Sequence, residues 1–234
     1  MRLSDCVTRW INRREINRAP STISGYRRLC RKYIEPFPAG STELDQLDED
    51  DMLDLLRPLI TAGHTRQAQL LQILVTAVLR DALRHREIMR NPMDGVDRVK
   101  HESAFTAWLT VEQARQLLAS SRDADDEYYL AWLLMLCCGL RRGEMLGLQW
   151  SDVDEIARTL HVSRQRVRVD GQILETRPKS ARSTRPIPLD DRIITEIRLR
   201  RKPGRYILEA ATPESLAVAL DAAITRNGQA DRKS

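Results

Sequence analysis

The chain has 234 residues, which is enough for one large domain or two smaller ones that each bury a core. Its composition, 42% hydrophobic and 30% charged, is ordinary for a globular protein. No apolar run approaches the roughly 18 residues that a membrane span requires, and Arg2, Asp5 and Arg9 make the N-terminus unlike a secretory signal. We therefore expect a cytoplasmic protein.

Positive charge is concentrated in two segments. The net charge is +5 and the pI is about 9.2. Arg9–Lys32 contains eight basic residues and one acid, and Arg164–Arg185 contains seven basic residues and two acids. Between them, Glu43–Asp54 contains seven carboxylates. Two basic segments separated by an acidic one are typical of two phosphate-contacting surfaces, although charge runs also occur on ordinary solvated faces.

The four cysteines do not form a framework. Cys137 and Cys138 are adjacent in an apolar run, whereas a metal site requires spaced ligands and a nearby histidine. We expect these two residues, with Cys6 and Cys30, to be buried reduced thiols. Neither a metal nor a cofactor is expected.

The first hundred residues are predicted to be almost entirely helical. Ser21 is a favourable N-cap for a helix over Thr22–Ile34, whose apolar residues recur every three or four positions. Asp50–Leu59 is a short acidic helix. Thr65–Ile88 is a long helix, apolar around much of its circumference, which we place at the centre of a small bundle and which Asn91-Pro92 ends.

The second half is predicted to contain helices and a small antiparallel sheet. Thr110–Gln113 is a capping box ahead of a helix that ends near Ser120, and the next helix runs from Asp125 or Asp126 to Cys138. Alternation over Thr159–Val169 predicts a strand, and Asp170-Gly171 predicts a hairpin turn to a partner strand, Gln172–Thr176.

Three elements follow the hairpin. Arg185–Leu189 is a strand whose prolines favour a sheet edge. Asp191–Arg200 is a helix. The last helix has Thr212 as its N-cap and Pro213 as its first residue, and Asn227-Gly228 is expected to end it near Arg226.

One segment of the second half resembles a known family. Residues 138–154 read Cys-Gly-Leu-Arg-Arg-Gly-Glu-Met-Leu-Gly-Leu-Gln-Trp-Ser-Asp-Val-Asp, which is similar to the first active-site block of the tyrosine recombinases, or phage integrases. Arg141 follows a tight glycine turn, and its planar guanidinium can hold a phosphate through two bonds. Glu144 can orient Arg141 from one helical turn away, and Arg142 is a surface charge or an outer phosphate contact.

A second segment resembles the same family. Residues 177–189 read Arg-Pro-Lys-Ser-Ala-Arg-Ser-Thr-Arg-Pro-Ile-Pro-Leu, which is similar to the family's Lys-Thr-x-x-Ser-x-Arg-x-Ile-Pro-Leu segment after the β-hairpin. The resemblance implies that Lys179 is the general acid that protonates the departing 5′-hydroxyl; a plain phosphate contact is the alternative. Ser180, Arg182 and Ser183 are then candidate contacts to the DNA backbone.

The N-terminal half resembles the family's helical core-binding domain, at Pro20–Tyr26 and at Arg90–Val96. The resemblance therefore implies an all-α, SAM-like core-binding domain over residues 1–96, a linker over residues 97–107, and a mainly helical α+β catalytic domain over residues 108–234. The candidate DNA contacts of the first domain are Arg27, Arg28, Arg31, Lys32 and Arg66.

In this family a His-x-x-Arg box, a further His or Trp and the nucleophilic Tyr come next. Here only residues 227–234 follow the last helix, so we expect a catalytic domain that is incomplete at its C-terminus and unable to cleave DNA. His161-Val162-Ser163-Arg164 has the residue types of the box but not its position, because it lies in a predicted strand and comes before Lys179 in the chain. Tyr206, the last tyrosine, precedes the position of the box and is expected to be packed.

Three functions are compatible with these residues: an incomplete copy of a working integrase, a non-catalytic DNA-binding remnant that occupies recombination sites, and a helical transcriptional regulator. The third lacks a convincing helix-turn-helix and leaves the Arg141 and Lys179 segments unexplained. For the other two, which the residues do not separate, the expected partners are double-stranded DNA and other recombinase protomers on the same site.

Overall fold

A computed structural model describes residues 1–102, 108–177 and 184–230. The chain divides into two compact units, Met1–Thr106 and Ala107–Ser234. Four residues that the sequence singled out lie outside the described residues: Lys179, Ser180, Arg182 and Ser183. Within the described ranges, no helix is both long enough and apolar enough to cross a membrane.

Within residues 1–102, the regular elements of the first unit are helices, and an isolated β-bridge joins Arg2 to Glu43. Its α-helices are α1 (Leu3–Arg14), α2 (Pro20–Leu29), α3 (Pro38–Ser41), α4 (Glu49–Thr61) and α5 (Thr65–Arg84). A π-helical turn, Cys30–Ile34, continues α2, and 3-10 turns cover Glu15–Asn17 and Pro92–Gly95.

Helix α5 lies at the centre of this unit, as predicted. Its Leu71, Val75 and Val78 are fully buried in a core that includes residues of α1 and α4. The helix ends at Arg84, because Arg86 adopts a left-handed conformation with φ +59°. The predicted end at Ile88 was therefore wrong, and Asn91-Pro92 does not terminate the helix.

Helix α2 also differs from the prediction at its start. It begins at Pro20 with Ala19 as the N-cap, and Ser21 lies inside its first turn. Proline favours the first helical position because its fixed φ is already helical and its missing N–H would have no partner there. The predicted apolar face is confirmed, since Ile23 and Cys30 are buried.

The second unit combines helices with two small antiparallel sheets. Its helices are α6 (Val111–Asp123), α7 (Tyr129–Cys138), α8 (Arg142–Gly147), α9 (Asp191–Leu199) and α10 (Pro213–Ala230). Its strands are β1 (Val153–Asp154), β2 (Thr159–Val162), β3 (Gln165–Val169), β4 (Gln172–Thr176) and β5 (Arg185–Pro188). One sheet has the order β1-β2-β5, and the other is the β3-β4 hairpin.

The sheets confirm some predictions and correct others. Asp170 and Gly171 have φ of +48° and +83°, the geometry of a two-residue hairpin turn, and β5 is an edge strand. The single strand predicted over residues 159–169 is in fact β2 and β3, which belong to different sheets. The alternation continues across the break, so the pattern alone did not reveal it.

The helices of this unit were predicted well except at some of their ends. The capping box between Thr110 and Gln113 is present at the start of α6. Helix α7 starts at Tyr129 rather than at Asp125 or Asp126, because Asp126 instead accepts the backbone N–H of Tyr128 in the preceding turn. Helix α10 runs to Ala230, so residues 227–228 do not end it.

The cysteines are free thiols. Cys6, Cys30 and Cys138 are buried, and burial raises the pKa of Cys30 and Cys138 to about 11. Cys137 is exposed, which corrects the prediction that all four would be buried. It points away from the core even though α7 is apolar around most of its circumference.

Candidate functional site

The site is built on the turn between α7 and α8. Gly139 ends α7 in the left-handed conformation, with φ +61°, and Arg141 is the N-cap of α8 with an extended backbone. Leu140 is buried, whereas the Arg141 side chain is 68% exposed. The turn is thus anchored in the core and presents one guanidinium to solvent.

Glu144 holds the Arg141 side chain and backbone together. Its side chain is only 2% exposed. Oε1 accepts a hydrogen bond from Nη1 of Arg141 at 2.8 Å, and Oε2 accepts one from the backbone N–H of Arg141 at 3.1 Å. The second bond is the backbone half of a capping box, in which the third helical residue reaches back to the N-cap.

A second arginine reaches the same carboxylate from β5. Nη2 of Arg185 donates to Oε2 of Glu144 and to the carbonyl of Gly139, both at 3.3 Å. From the sequence, Arg185 was predicted only as a strand residue. Its position in the Arg-x-Ile-Pro-Leu segment was the available signal, but its partner lies 41 residues earlier.

The two arginines determine the ionisation of Glu144. Burial raises the pKa of its carboxyl, but hydrogen bonds from Arg141 and Arg185 lower it by more, so the net pKa lies below the ordinary value of 4.5. Glu144 is therefore ionised at neutral pH. A buried carboxylate is tolerated here because cationic donors surround it.

Helix α8 packs closely against the hairpin. A Cβ atom on Gly147 would lie 2.9 Å from Cα of Gln165, and one on Gly143 would lie 3.3 Å from the carbonyl oxygen of Arg166. The two glycines are four residues apart and so lie on one face of α8. They bring the Arg141 turn next to β3, a role that sequence analysis did not assign to them.

The base of the hairpin is held by an ionic and aromatic cluster. Glu175 on β4 accepts a hydrogen bond from the Tyr206 hydroxyl at 2.6 Å. It also lies 3.7 Å from Nη2 of Arg205 and 3.9 Å from Nε of Arg164. The hydrogen bond to Glu175, together with burial, raises the pKa of Tyr206. The guanidinium of Arg166 lies 4.4 Å from the centre of the Tyr206 ring.

His161 and Arg164 make separate contacts. His161 is exposed on β2, and its Nε2 lies 3.4 Å from Oγ1 of Thr159. Arg164 instead forms an ion pair with the buried Asp152, which also accepts the backbone N–H of Gln149 at 2.8 Å. These contacts account for both side chains structurally.

The basic residues selected in the first unit lie mainly on α2 and its π-helical continuation. Arg28, Arg31 and Lys32 are exposed there, whereas Arg27 forms an ion pair with Glu15 at 2.8 Å. Arg66 is exposed in the first turn of α5. In the second unit, Arg142 is exposed in the first turn of α8, immediately after Arg141.

The described residues contain no group of three or more His, Cys, Asp or Glu side chains arranged to hold a metal ion. What the Arg141 turn offers chemically is a guanidinium of fixed orientation, backed by a buried carboxylate. Such a fork suits a phosphate or a carboxylate.

Two family models match this chain. Residues 3–98 match the phage integrase central domain, and residues 107–199 match the phage integrase family. The chain belongs to the phage integrase, or tyrosine recombinase, family. The second match includes Arg141, Glu144 and Arg185.

Relatives of this integrase-family chain are distant in sequence. It is 23% identical to the ICEBs1 integrase of Bacillus subtilis (strain 168) over 181 residues, which cover 77% of this chain and 49% of that protein. The chain thus spans about half the length of that curated relative.

Solved structures of integrases share its fold. The Tn1549 transposon integrase, in complex with circular intermediate DNA, has a TM-score of 0.81 and 19% identity over 98% of this chain and 80% of that one. A lambda integrase dimer bound to a COC′ core site has a TM-score of 0.73 and 15% identity over 97% of this chain and 82% of that one. The predicted fold, a helical domain followed by an α+β domain, is confirmed.

Proposed function

We propose that this chain binds duplex DNA in site-specific recombination and that Arg141 contacts a backbone phosphate. The observation that carries the proposal is the exposed Arg141 side chain, whose Nη1 donates a hydrogen bond to Oε1 of the buried Glu144 at 2.8 Å. A phosphate diester accepts two hydrogen bonds from a guanidinium that is already oriented. The Tn1549 and lambda integrases were solved in complexes with DNA, which supports the same partner here.

The first unit supplies further phosphate contacts in this proposal. Arg28, Arg31 and Lys32 are exposed. Arg31 and Lys32 follow Arg28 by three and four residues, so all three lie on one side of the helical segment. Arg66 and Arg142 add exposed charge on α5 and α8. Arg27 is partly neutralised by Glu15 and contributes less.

By resemblance, we propose that Lys179 and its neighbours Ser180, Arg182 and Ser183 also contact the DNA backbone. We also propose that the chain assembles with other recombinase protomers on DNA. The lambda integrase was solved as a dimer on a core site and as a tetramer on a Holliday junction.

We further propose that residues 1–234 alone hold DNA without cutting it. The five tyrosines of the sequence are engaged in contacts of their own. Tyr26 packs edge-on against Trp10, Tyr128 stacks on Trp132, and the Tyr129 hydroxyl accepts hydrogen bonds from Arg122. The ring of Tyr33 lies under Lys32, and Tyr206 bonds to Glu175.

Strand exchange is the second candidate function. Residues 107–199 match the phage integrase family, and by resemblance Arg141 and Lys179 are two of its catalytic groups. A tyrosine supplied from outside these 234 residues would then complete the chemistry, since the nucleophile is what forms the covalent phosphotyrosine.

DNA binding is tested by titrating a fluorescent mixed-sequence duplex at several salt concentrations. The logarithm of the binding constant should fall linearly with the logarithm of the salt concentration, with a slope that reports roughly five to ten neutralised phosphates. Arg141→Ala should reduce the magnitude of that slope by about 0.9, the contribution of one phosphate. A chain with no affinity for duplex DNA at low salt, or an unchanged slope for Arg141→Ala, contradicts the proposal.

A further inference from the structure

We infer that Arg185 is a positioning residue that fixes the geometry with which Arg141 meets phosphate. The inference rests on the proposed contact between Arg141 and DNA. Arg185 acts through Glu144 and the Gly139 carbonyl and does not itself contact the phosphate.

The contacts form a continuous path from β5 to Arg141. Nη2 of Arg185 lies 3.3 Å from Oε2 of Glu144, and the same oxygen lies 3.1 Å from the backbone nitrogen of Arg141. The other carboxylate oxygen lies 2.8 Å from Nη1 of Arg141. A shift of Glu144 therefore moves both the backbone and the guanidinium of Arg141.

Arg185 also braces the end of α7. The last carbonyls of a helix lack intrahelical partners, and a basic side chain near them supplies a donor and a favourable charge. Nη2 of Arg185 donates to the carbonyl of Gly139 at 3.3 Å. One guanidinium nitrogen thus joins the last turn of α7 to the first turn of α8, on both sides of Arg141.

Burial distinguishes the roles of the two arginines. The Arg141 side chain is 68% exposed, whereas that of Arg185 is 29% exposed and Glu144 is 2% exposed. Without Arg185, the solvent-facing Arg141 would be the remaining cationic partner of the buried carboxylate among the described residues. The orientation of the Glu144 carboxylate would then follow that of the Arg141 side chain instead of determining it.

The strand that carries Arg185 gives this link a further consequence. Arg185 pairs with Val162 at the start of β5, and in sequence β5 follows Lys179 within a few residues. The same residue therefore anchors the strand after the proposed hairpin lysine and the turn that presents Arg141. Among the described residues, the ion pair between Arg185 and Glu144 therefore links the start of β5 to the turn that presents Arg141.

A thermodynamic cycle tests this inference. Affinity for the mixed-sequence duplex is measured for the full chain and for Arg141→Ala, Arg185→Met and the double variant. We expect each single variant to weaken binding about tenfold, the scale of one charge-assisted hydrogen bond. In the Arg141→Ala background, Arg185→Met should weaken binding less than about twofold, because residues that act through each other are not additive.

The salt dependence separates positioning from direct contact. Arg185→Met should reduce the magnitude of the slope by about 0.9 in the parent chain and leave it unchanged in Arg141→Ala, since the phosphate contact that Arg185 supports is the one that Arg141 makes. Arg198→Met is the matched control, because Arg198 on α9 also pairs with a carboxylate outside its own element, Glu155, at 2.7 Å. Its effect should be equal in both backgrounds.

Two results overturn the inference, and they differ from failure of the proposed function. Equal losses from Arg185→Met in both backgrounds would make Arg185 an independent phosphate contact, and no loss in either would remove its role. If Arg141→Ala itself leaves affinity and slope unchanged, the proposed contact fails and the inference with it. Should Arg185→Met not fold, Arg185→Lys replaces it, with a smaller loss expected in the parent chain only.

Discussion

The buried Glu144 fixes the orientation of the exposed Arg141 side chain. Its carboxylate has 2% exposure and is compensated by donors from two elements that are far apart in sequence. An exposed arginine alone is unremarkable, because most surface arginines are merely solvated. An exposed arginine whose guanidinium and backbone are bonded to the same buried carboxylate is pre-oriented, and pre-orientation lowers the entropy lost on binding.

The ionisation of Glu144 leads to a prediction about stability and pH. Its folded-state pKa lies below the ordinary 4.5, so the stabilisation is present above pH 4.5 and is lost as the pH falls through the folded-state value. Glu144→Gln should cost about 1.5–3 kcal/mol of unfolding free energy at neutral pH, the range for hydrogen bonds to charged groups. The difference from the parent chain should shrink below pH 4.5.

Urea denaturation measures the difference in unfolding free energy between Glu144→Gln and the parent chain. The measurements span about pH 3 to 7, the range over which the carboxyl titrates. Glu112→Gln is the control, because Glu112 is exposed and pairs with Arg115 at 3.6 Å on the surface of α6. Its effect should stay small at every pH. A Glu144→Gln penalty that is independent of pH would show that the carboxylate charge does not matter.

At the level of elements, α8 depends on two glycines. Gly147→Ala would place a methyl group 2.9 Å from the Cα of Gln165, and backbone cannot rotate away as a side chain can. We expect a loss of about 1–3 kcal/mol from overpacking, reduced by up to about 1 kcal/mol because alanine favours helix over glycine. DNA affinity should fall as well, since α8 carries Arg141 against the hairpin.

Gly25→Ala is the matched control for this prediction. Gly25 also lies in a helix, but an added Cβ would meet no atom within 4 Å beyond its chain neighbours and the nearby backbone of its own helix. That variant should be neutral or stabilised by about 0.5–1 kcal/mol through helix propensity alone. Chemical denaturation of the full chain distinguishes the two. Equal effects of both substitutions would show that the approach of α8 to β3 is not tight.

Local turn and capping chemistry was readable from the sequence. Asp170-Gly171 and the capping box at Thr110 were predicted because a few adjacent residues determine those structures. The same logic misled at residues 227–228, since α10 continues through a dipeptide that often ends helices. It also missed the break between β2 and β3, because their separate partners are set by tertiary pairing.

The candidate site was only half predictable for a related reason. Arg141 and Glu144 lie three residues apart, so helix geometry links them and the family motif marks them. Arg185 meets Glu144 across 41 residues of sequence; the Arg-x-Ile-Pro-Leu segment marks Arg185, but nothing in the sequence identifies Glu144 as its partner. The spacing of Gly143 and Gly147 likewise does not predict which strand packs against α8.

For the whole molecule, charge distribution matters more than net charge. The excess of 38 basic over 33 acidic residues is small, yet exposed basic side chains occur on α2 and its π-helical continuation in one unit and on α8 in the other. A duplex contacted by both units would be held through many phosphates with little sequence information, because phosphate contacts position a protein and base contacts specify the site. Specificity would then depend on contacts to base edges.

Cleavage of DNA can be tested on residues 1–234 as a whole. Covalent capture requires a tyrosine oxygen within about 3–3.5 Å of a phosphorus held by Arg141. The Tyr206 hydroxyl is instead bonded to Glu175 at 2.6 Å, which raises its pKa and disfavours the phenolate that would attack. We therefore expect residues 1–234 to trap no covalent complex on nicked suicide duplexes of randomised sequence, assayed by denaturing gel under conditions where the chain is bound.

The parallel control is an integrase that contains every family box, on its own nicked site, which should yield a covalent band. A band from this chain, mapped by mass spectrometry to one of its five tyrosines, would overturn the proposal that these residues only hold DNA. Adduct formation that persists in Tyr206→Phe would move the search to the helical tyrosines. Adduct formation that disappears in Arg141→Ala would show that the same arginine serves binding and chemistry, because the guanidinium that holds the phosphate also stabilises charge gathering on its oxygens.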